Sequence, residues 1–440
     1  MFGGISKKEG RKFSFLSLIL LFIVGAYWLL RPLKDSIFFG TVGGTNLPMA
    51  KMLSVVTVMI LVLIYSKLVD IVPKHKLFYV VGTFYLTIFL TIAFFMSHPI
   101  HGLNPALPIG THRWIGWVTY FSIESFGSIF VALFWSFAAS ITKPESAKKG
   151  FPLILAGAQI GSISGPALGF LSHIIGLQVL TFIACGAVIC IMILMKVFLL
   201  AIPEEDRQPY CKEESARPRT GFFEGIKLIL TKPYILGIFC IVSLFEIVVT
   251  IVDYQMKMQA KILPEYASNE AFNTFLSAFG VATNTIALVM ALLGTTYLMK
   301  RFGLVFCLIA FPTTLAVIIS GLYISSTTAI SPYTLLWITF GVMIIARGLS
   351  YALNNPSKEI MSIKTSKDVK FKSKGWIDMF GGRFAKGTGA QFNNLFKSSI
   401  NSLMVYGTLA ALGLIGIWIV IAMYVGRTFN KLTREDRIIG

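Results

Sequence analysis

The chain has 440 residues, 55% of them hydrophobic and only 13% charged, with a mean hydropathy of +0.75. Soluble domains carry about 25% charged residues, so a soluble globular protein is excluded and a polytopic all-α membrane protein is implied. Lys and Arg total 39 against 20 Asp and Glu, a formal charge of +19. Most of that excess lies in short loops, where the positive-inside rule accounts for it without a nucleic-acid partner.

The N-terminus, Met1 to Lys12, is basic, and the apolar run after it reaches Arg31 with no small-residue cleavage site. It is expected to be a first membrane helix and not a removed signal peptide. Apolar runs long enough for about 30 Å of hydrocarbon fall near 13–31, 48–70, 77–97, 113–140, 151–173 and 177–201. They resume near 233–256, 272–299, 303–323, 332–353, 378–399 and 404–426. These twelve spans give a six-helix N-terminal half (1–201), a charged cytoplasmic linker (202–232) and a six-helix C-terminal half (233–440). Basic segments (the N-terminus, Lys74/Lys76, Lys143/Lys148/Lys149, the linker, Lys300/Arg301, 358–374, the C-terminus) alternate with lysine-poor ones at 40–46, 97–111 and 325–331. All the basic segments share one side if both termini are cytoplasmic. The loop 257–271 is the exception, with its lysines balanced by Glu265 and Glu270. Cys185, Cys190, Cys211, Cys240 and Cys307 have no framework spacing, and neither a disulfide nor a metal site is expected.

A short internal repeat supports the six-plus-six division. Lys149-Gly150 through Gly157, Gly161 and Gly165 aligns with Lys374-Gly375 through Gly382 and Lys386, an offset of 225 residues (375 minus 150). Two parallel six-helix repeats are the arrangement of the major facilitator superfamily. Lys386 then takes the place of Gly161.

Charges at membrane depth are expensive and mark ion or substrate paths. Arg383 and Lys386, three residues apart, share one helix face among glycines and ask for an anionic cargo; the bland alternative is a pair of snorkelling residues near a helix end. Arg31 and Asp35 are spaced i,i+4 and suited to satisfy each other, leaving Lys34 as a cargo cation or, alternatively, an interfacial anchor. Glu124 and Glu246 lack basic neighbours at i±3 or i±4, so their partners must come from other helices. Asp253 and Lys257 form a local structural pair by spacing. Arg347 adds a further cation beside Tyr351, Asn354 and Asn355. Several cations with two carboxylates suit a polyanion: phosphates bind the cations, and the carboxylates pair with them otherwise. No Walker A, GxSxG, HExxH or paired CxxC sequence occurs, so neither an enzyme nor a self-contained ATP-driven pump is expected.

At these residues the chain resembles the nucleotide transporters of plastids and obligate intracellular bacteria, the ATP/ADP translocase family. The resemblance is clearest in Arg31-Pro-Leu-Lys34-Asp35, in Glu124 with Leu133-Phe-Trp-Ser-Phe-Ala138 and Ile141-Thr-Lys-Pro-Glu145, in Glu246, in Pro356-Ser-Lys-Glu359, and from Lys372-Ser-Lys-Gly375 through Gly389. It implies that Lys34, Glu124, Glu246 and Lys386 matter for nucleotide transport. The family's Arg-Asp-Thr-Lys-Asp stands here as Arg31-Pro32-Leu33-Lys34-Asp35, and its Asp-Pro as Asn355-Pro356, departures that mark a divergent member. The expected function is exchange of ATP for ADP, with or without inorganic phosphate, by alternating access, without a cofactor. The expected form is a monomer in the lipid bilayer of a bacterial inner membrane. The alternatives are proton-coupled or uniport uptake of other nucleotides or NAD, carriage of a smaller phosphorylated anion, and a non-transport membrane scaffold whose buried charges merely pair.

Overall fold

In hydrocarbon every backbone N–H and C=O must be bonded within its own segment, which leaves the helix as the economical solution for an apolar chain. The computed structural model describes residues 6–104, 106–207, 222–293, 295–366, 369, 373, 376–377 and 381–439. They form α1 (Lys7–Thr41), α2 (Leu47–Ile71), α3 (Lys74–Met96), α4 (Trp114–Ser140), α5 (Pro144–Ala167), α6 (Ser172–Ala201) and α7 (Phe222–Thr231). Then come α8 (Pro233–Ile262), α9 (Asn269–Leu293), α10 (Thr295–Thr327), α11 (Pro332–Leu349), α12 (Asn355–Met361), α13 (Gly382–Phe396) and α14 (Ile400–Arg434). Among the described residues ten helical stretches are long and apolar enough to cross a membrane, one of which, Glu145–Ala201, runs through both α5 and α6. The expected span 378–399 begins outside the described residues; its described part is α13, of 15 residues. Apart from Ser373, the motif Lys372-Ser-Lys-Gly375 also lies outside them, as does Cys211.

Two interruptions use glycine's freedom at positive φ. Gly176 (φ 74°) breaks the start of α6 and Gly303 (φ 76°) breaks α10. Pro32 lies inside the continuous α1. Proline carries no N–H and crowds the carbonyl four residues back, here that of Trp28, so α1 is disturbed one turn before Lys34.

The chain forms two compact units, Met1–Ser215 with Glu265–Asn284, and Ala216–Pro264 with Thr285–Gly440. In the first, α1 is the central element, packed along α5 and against α4 and α6. Its contact with α5 is glycine-lined. A Cβ added at Gly157, Gly161 or Gly165 would strike the backbone carbonyl of Ser17, Leu21 or Gly25, respectively. That four-residue register lets two helix backbones approach closely where lipid offers no hydrophobic drive to associate. At the start of α1, Ser6 and Glu9 form a capping box, and Lys12 Nζ donates to the Ile141 carbonyl at 2.5 Å. The segment 265–284 is bonded to this unit by side chains: Ser36 Oγ donates to the Asn269 carbonyl at 2.5 Å. Gln159 Nε2 donates to the Asn284 carbonyl, and Asn284 Nδ2 to that of Ser162, both at 2.9 Å.

In the second unit α8 is buried along most of its length, against α11, α13 and α14. A fully buried polar network ties it to α11 and α14: Gln255 Nε2 donates to the Leu403 carbonyl at 2.8 Å, and Gln259 Nε2 to Thr339 Oγ1 at 3.1 Å. The C-terminal segment folds back, with Ser366 N donating to the Ile439 carbonyl at 2.8 Å and Lys364 paired to Asp436 at 3.1 Å.

Gly165→Ala should therefore cost about 2 kcal/mol by overpacking and lower the melting temperature in detergent. Gly186→Ala, where an added Cβ meets nothing within 4 Å, should be neutral or slightly stabilising, since alanine is the better helix former. Thermal unfolding of the two variants side by side checks this.

Candidate functional site

The first constellation lies between α1 and α4. The α4 helix sets Phe126 and Phe130 among Phe78, Tyr85 and Phe89 of α3, and Tyr85 Oη donates to Ser125 Oγ at 2.9 Å. That packing turns Glu124 toward α1, where Lys34 Nζ bonds its carboxylate. Lys34 is 4% exposed and also stands 3.6 Å from Asp35 Oδ1 and 4.5 Å from the centroid of Tyr120. The ammonium is thus buried within the protein, with two carboxylates and a ring around it. The partner that Glu124 required from another helix is Lys34. Asp35, which spacing assigned to Arg31, stands beside Lys34, while the Arg31 guanidinium lies 4.7 Å from the Trp28 ring centroid.

The second constellation belongs to the other unit. Glu246 on α8 faces Arg347 on α11 at 3.6 Å, their side chains 19% and 22% exposed. Arg347 is backed by Phe245, 5.8 Å from its guanidinium, and Phe245 packs on Phe311 and Trp418 at 5.5 and 6.1 Å. Glu246, like Glu124, is thus answered by a cation from a different helix. Lys257 and Asp253 form the expected local pair at 2.8 Å.

Directly after Arg347 the helix passes into a π-turn, Ser350–Asn354. Such turns insert a residue into the helical ladder and are frequent at functional sites. Tyr351 is exposed on it, Asn354 is buried, and Asn355 opens α12 with an exposed side chain. On α13, Ala385, Gly389 and Ala390 are buried, and Gly389 leaves no room for a Cβ against Ile247 and Thr250 of α8. Arg383 is half-buried and Lys386 exposed; among the described residues Lys386 has neither a hydrogen bond nor an ion pair.

Lys34 is thus brought to Glu124, and Glu246 to Arg347. Tyr351, Asn354 and Asn355 follow Arg347 on the same chain turn, and Arg383 and Lys386 stand on α13. Sequence reasoning passed over Tyr120 and the approach of Asp35 to Lys34. A signal was available for Tyr120, which lies four residues before Glu124 on the same face of α4.

The whole chain matches solved transporters of the major-facilitator type in fold. It superposes on the nucleoside transporter NupG with a TM-score of 0.67 (13% identity, 94% of this chain and 98% of that one). The corresponding values for the xylose transporter XylE from E. coli are 0.60, 13%, 92% and 95%. The class defined by the fold is therefore a multi-pass, all-helical membrane protein with the architecture of those transporters. Among curated proteins it is 25% identical to ADP,ATP carrier protein 1 of Rickettsia typhi, over 89% of this chain and 87% of the relative. It is 26% identical to the chloroplastic ADP,ATP carrier protein 2 of Arabidopsis thaliana, over 99% and 77%, and 26% identical to ADP,ATP carrier protein 1 of Chlamydia pneumoniae, over 94% and 91%. Residues 1–429 match the family model described as TLC ATP/ADP transporter, and the chain belongs to that family.

Breaking a buried pair strands a charge, whereas removing both partners does not. Arg347→Met and Glu246→Leu should each destabilise the protein by about 1–3 kcal/mol, and the double variant by clearly less than the sum. Thermal unfolding of the four proteins in one detergent gives the coupling.

Proposed function

We propose that this protein exchanges ATP for ADP across a bacterial inner membrane. In this reading it works as a monomer with both termini cytoplasmic, by alternating access of two six-helix halves divided near the linker 202–232. The observation that carries the reading, within the family, is the charge arrangement. Glu124, Glu246 and Asp253 are each bonded to a cation of their own unit, whereas α13 brings Arg383 and Lys386 with no acidic residue between Gly382 and Phe396. On α13, Lys386 adds a positive charge with neither a hydrogen bond nor an ion pair among the described residues. Phosphate groups are the cargo that complements it.

The residues then take distinct roles. Lys34, Arg347, Arg383 and Lys386 hold phosphates, arginine through a bidentate fork and lysine as a point charge. Glu124 and Glu246 are the resting counter-ions, exchanged for phosphate as cargo arrives. Tyr351 and Asn354, on the π-turn that follows α11, and Asn355, at the start of α12, contribute to contacts with the rest of the nucleotide. Without cargo, the charge of Lys386 on α13 opposes reorientation through a low dielectric, which favours exchange over uniport.

Uptake of labelled ATP by cells expressing the chain, competed with ADP, GTP, NAD and sugar phosphates, tests the cargo. ADP should compete at concentrations similar to ATP and sugar phosphates should not; the reverse order would overturn the proposal. Lys386→Ala should lower apparent affinity about ten- to a hundredfold, as one charge-assisted phosphate contact is worth about 1.5–3 kcal/mol. The loss should be greater for triphosphate than for diphosphate, the protein should stay folded in detergent, and Lys386→Arg should retain part of the activity. Glu124→Gln and Glu246→Gln should impair exchange more than Asp253→Asn does.

A further inference from the structure

One stripe of the first unit is not used by the roles assigned above. On α1, Tyr27, Trp28 and Arg31 lead to Lys34; Tyr27, Arg31 and Lys34 are spaced i, i+4 and i+7 and so share a face. The Tyr27 and Trp28 rings meet edge to face at 6.2 Å and 70°, and both are half-buried. Arg31 lies over the indole at 4.7 Å. The neighbouring helices are trimmed to glycine at this level. A Cβ at Gly127, three residues beyond Glu124 on α4, would fall 2.5 Å from Tyr27 Cδ2, and one at Gly280 would fall 3.7 Å from Trp28 Cε3. From Trp28 to Lys34 the helix rises roughly 9 Å, a separation suited to an aromatic base at one end and its phosphate tail at the other. Pro32 adds an unusual acceptor, because it has no N–H to offer the Trp28 carbonyl.

Both cations of the stripe are held on partners that a nucleotide can replace: Lys34 on Glu124, and Arg31 on an indole face. Purines and pyrimidines all present π-faces that stack on aromatic side chains, and a guanidinium matches phosphate better than it matches a ring. We propose that Tyr27 and Trp28 form the platform for the nucleobase. The base takes the indole face that Arg31 covers, and the released guanidinium joins Lys34 on the phosphates. Base and phosphate recognition are thereby coupled through Arg31. This rests on a nucleotide being the cargo.

The test measures ATP uptake and its inhibition by tripolyphosphate, which has the charges but no base, in the wild type and in Trp28→Ala, Trp28→Phe and Lys34→Ala. Trp28→Ala should raise the KM for ATP about tenfold, the scale of one lost base–aromatic stack, without weakening tripolyphosphate inhibition. Trp28→Phe, which keeps a ring, should stay within about threefold of the wild type. Lys34→Ala should weaken both ligands. An unchanged KM in Trp28→Ala overturns the proposal. Equal weakening of ATP and tripolyphosphate in that variant also overturns it, since Trp28 would then be a structural residue. Wild-type uptake indifferent to ATP would instead remove the nucleotide reading itself, and this platform with it.

Discussion

The ion pair between Lys34 and Glu124 sets the terms for the first unit. A lysine only 4% exposed in an apolar helix needs a fixed counter-charge, because an uncompensated ion at that depth costs several kcal/mol. Meeting that need fixes the position of α4 relative to α1, and the aromatic packing of α4 on α3 supplies the rotation that aims Glu124 inward. The glycine register between α1 and α5 holds the opposite side of α1, so the lysine is presented by a helix with little freedom to shift. The second unit obeys the same rule with the signs exchanged. Its carboxylate, Glu246, sits on the deeply buried α8, and its cation, Arg347, on α11.

Pairs of this kind are poor sources of stability, since the attraction between partners roughly repays the cost of taking them out of water. Their value lies in being exchangeable. In the proposed cycle a phosphate that binds Lys34 or Arg347 takes the place of the carboxylate as the cation's counter-ion. The helix α13 differs in kind. Its buried side, Ala385, Gly389 and Ala390, packs as small residues must, while Arg383 and Lys386 bring charge without acid on the same helix. In the repeat alignment Lys386 stands where Gly161 presses against Leu21, so one half spends that position on close packing and the other on a cation.

Much of this was legible in the sequence. Hydropathy marks most of the spans. The absence of basic neighbours at i±3 and i±4 implies that Glu124 and Glu246 are answered from other helices, as they are. The same spacing logic identifies Asp253 with Lys257 as a local pair. It does not reveal that Asp35 also stands beside Lys34 or that Arg31 covers Trp28. Lys34 lies close to the end of its apolar run, and the sequence does not reveal that the helix continues to Thr41 with this side chain buried. The π-turn at Ser350–Asn354 has no periodic signature, because a single inserted residue alters the ladder and leaves the composition unchanged. Span five runs almost continuously into span six, as neither Gly176 nor the residues before it form a polar loop.

The central claim is that the charge of Lys386 on α13 ties reorientation to an occupied site. The most direct measurement is labelled ATP entry into proteoliposomes of the purified chain, with and without ADP inside. The account predicts rapid entry into ADP-loaded vesicles and almost none into vesicles lacking nucleotide. Equal initial rates in the two would contradict it, for they would show that the carrier reorients readily without cargo.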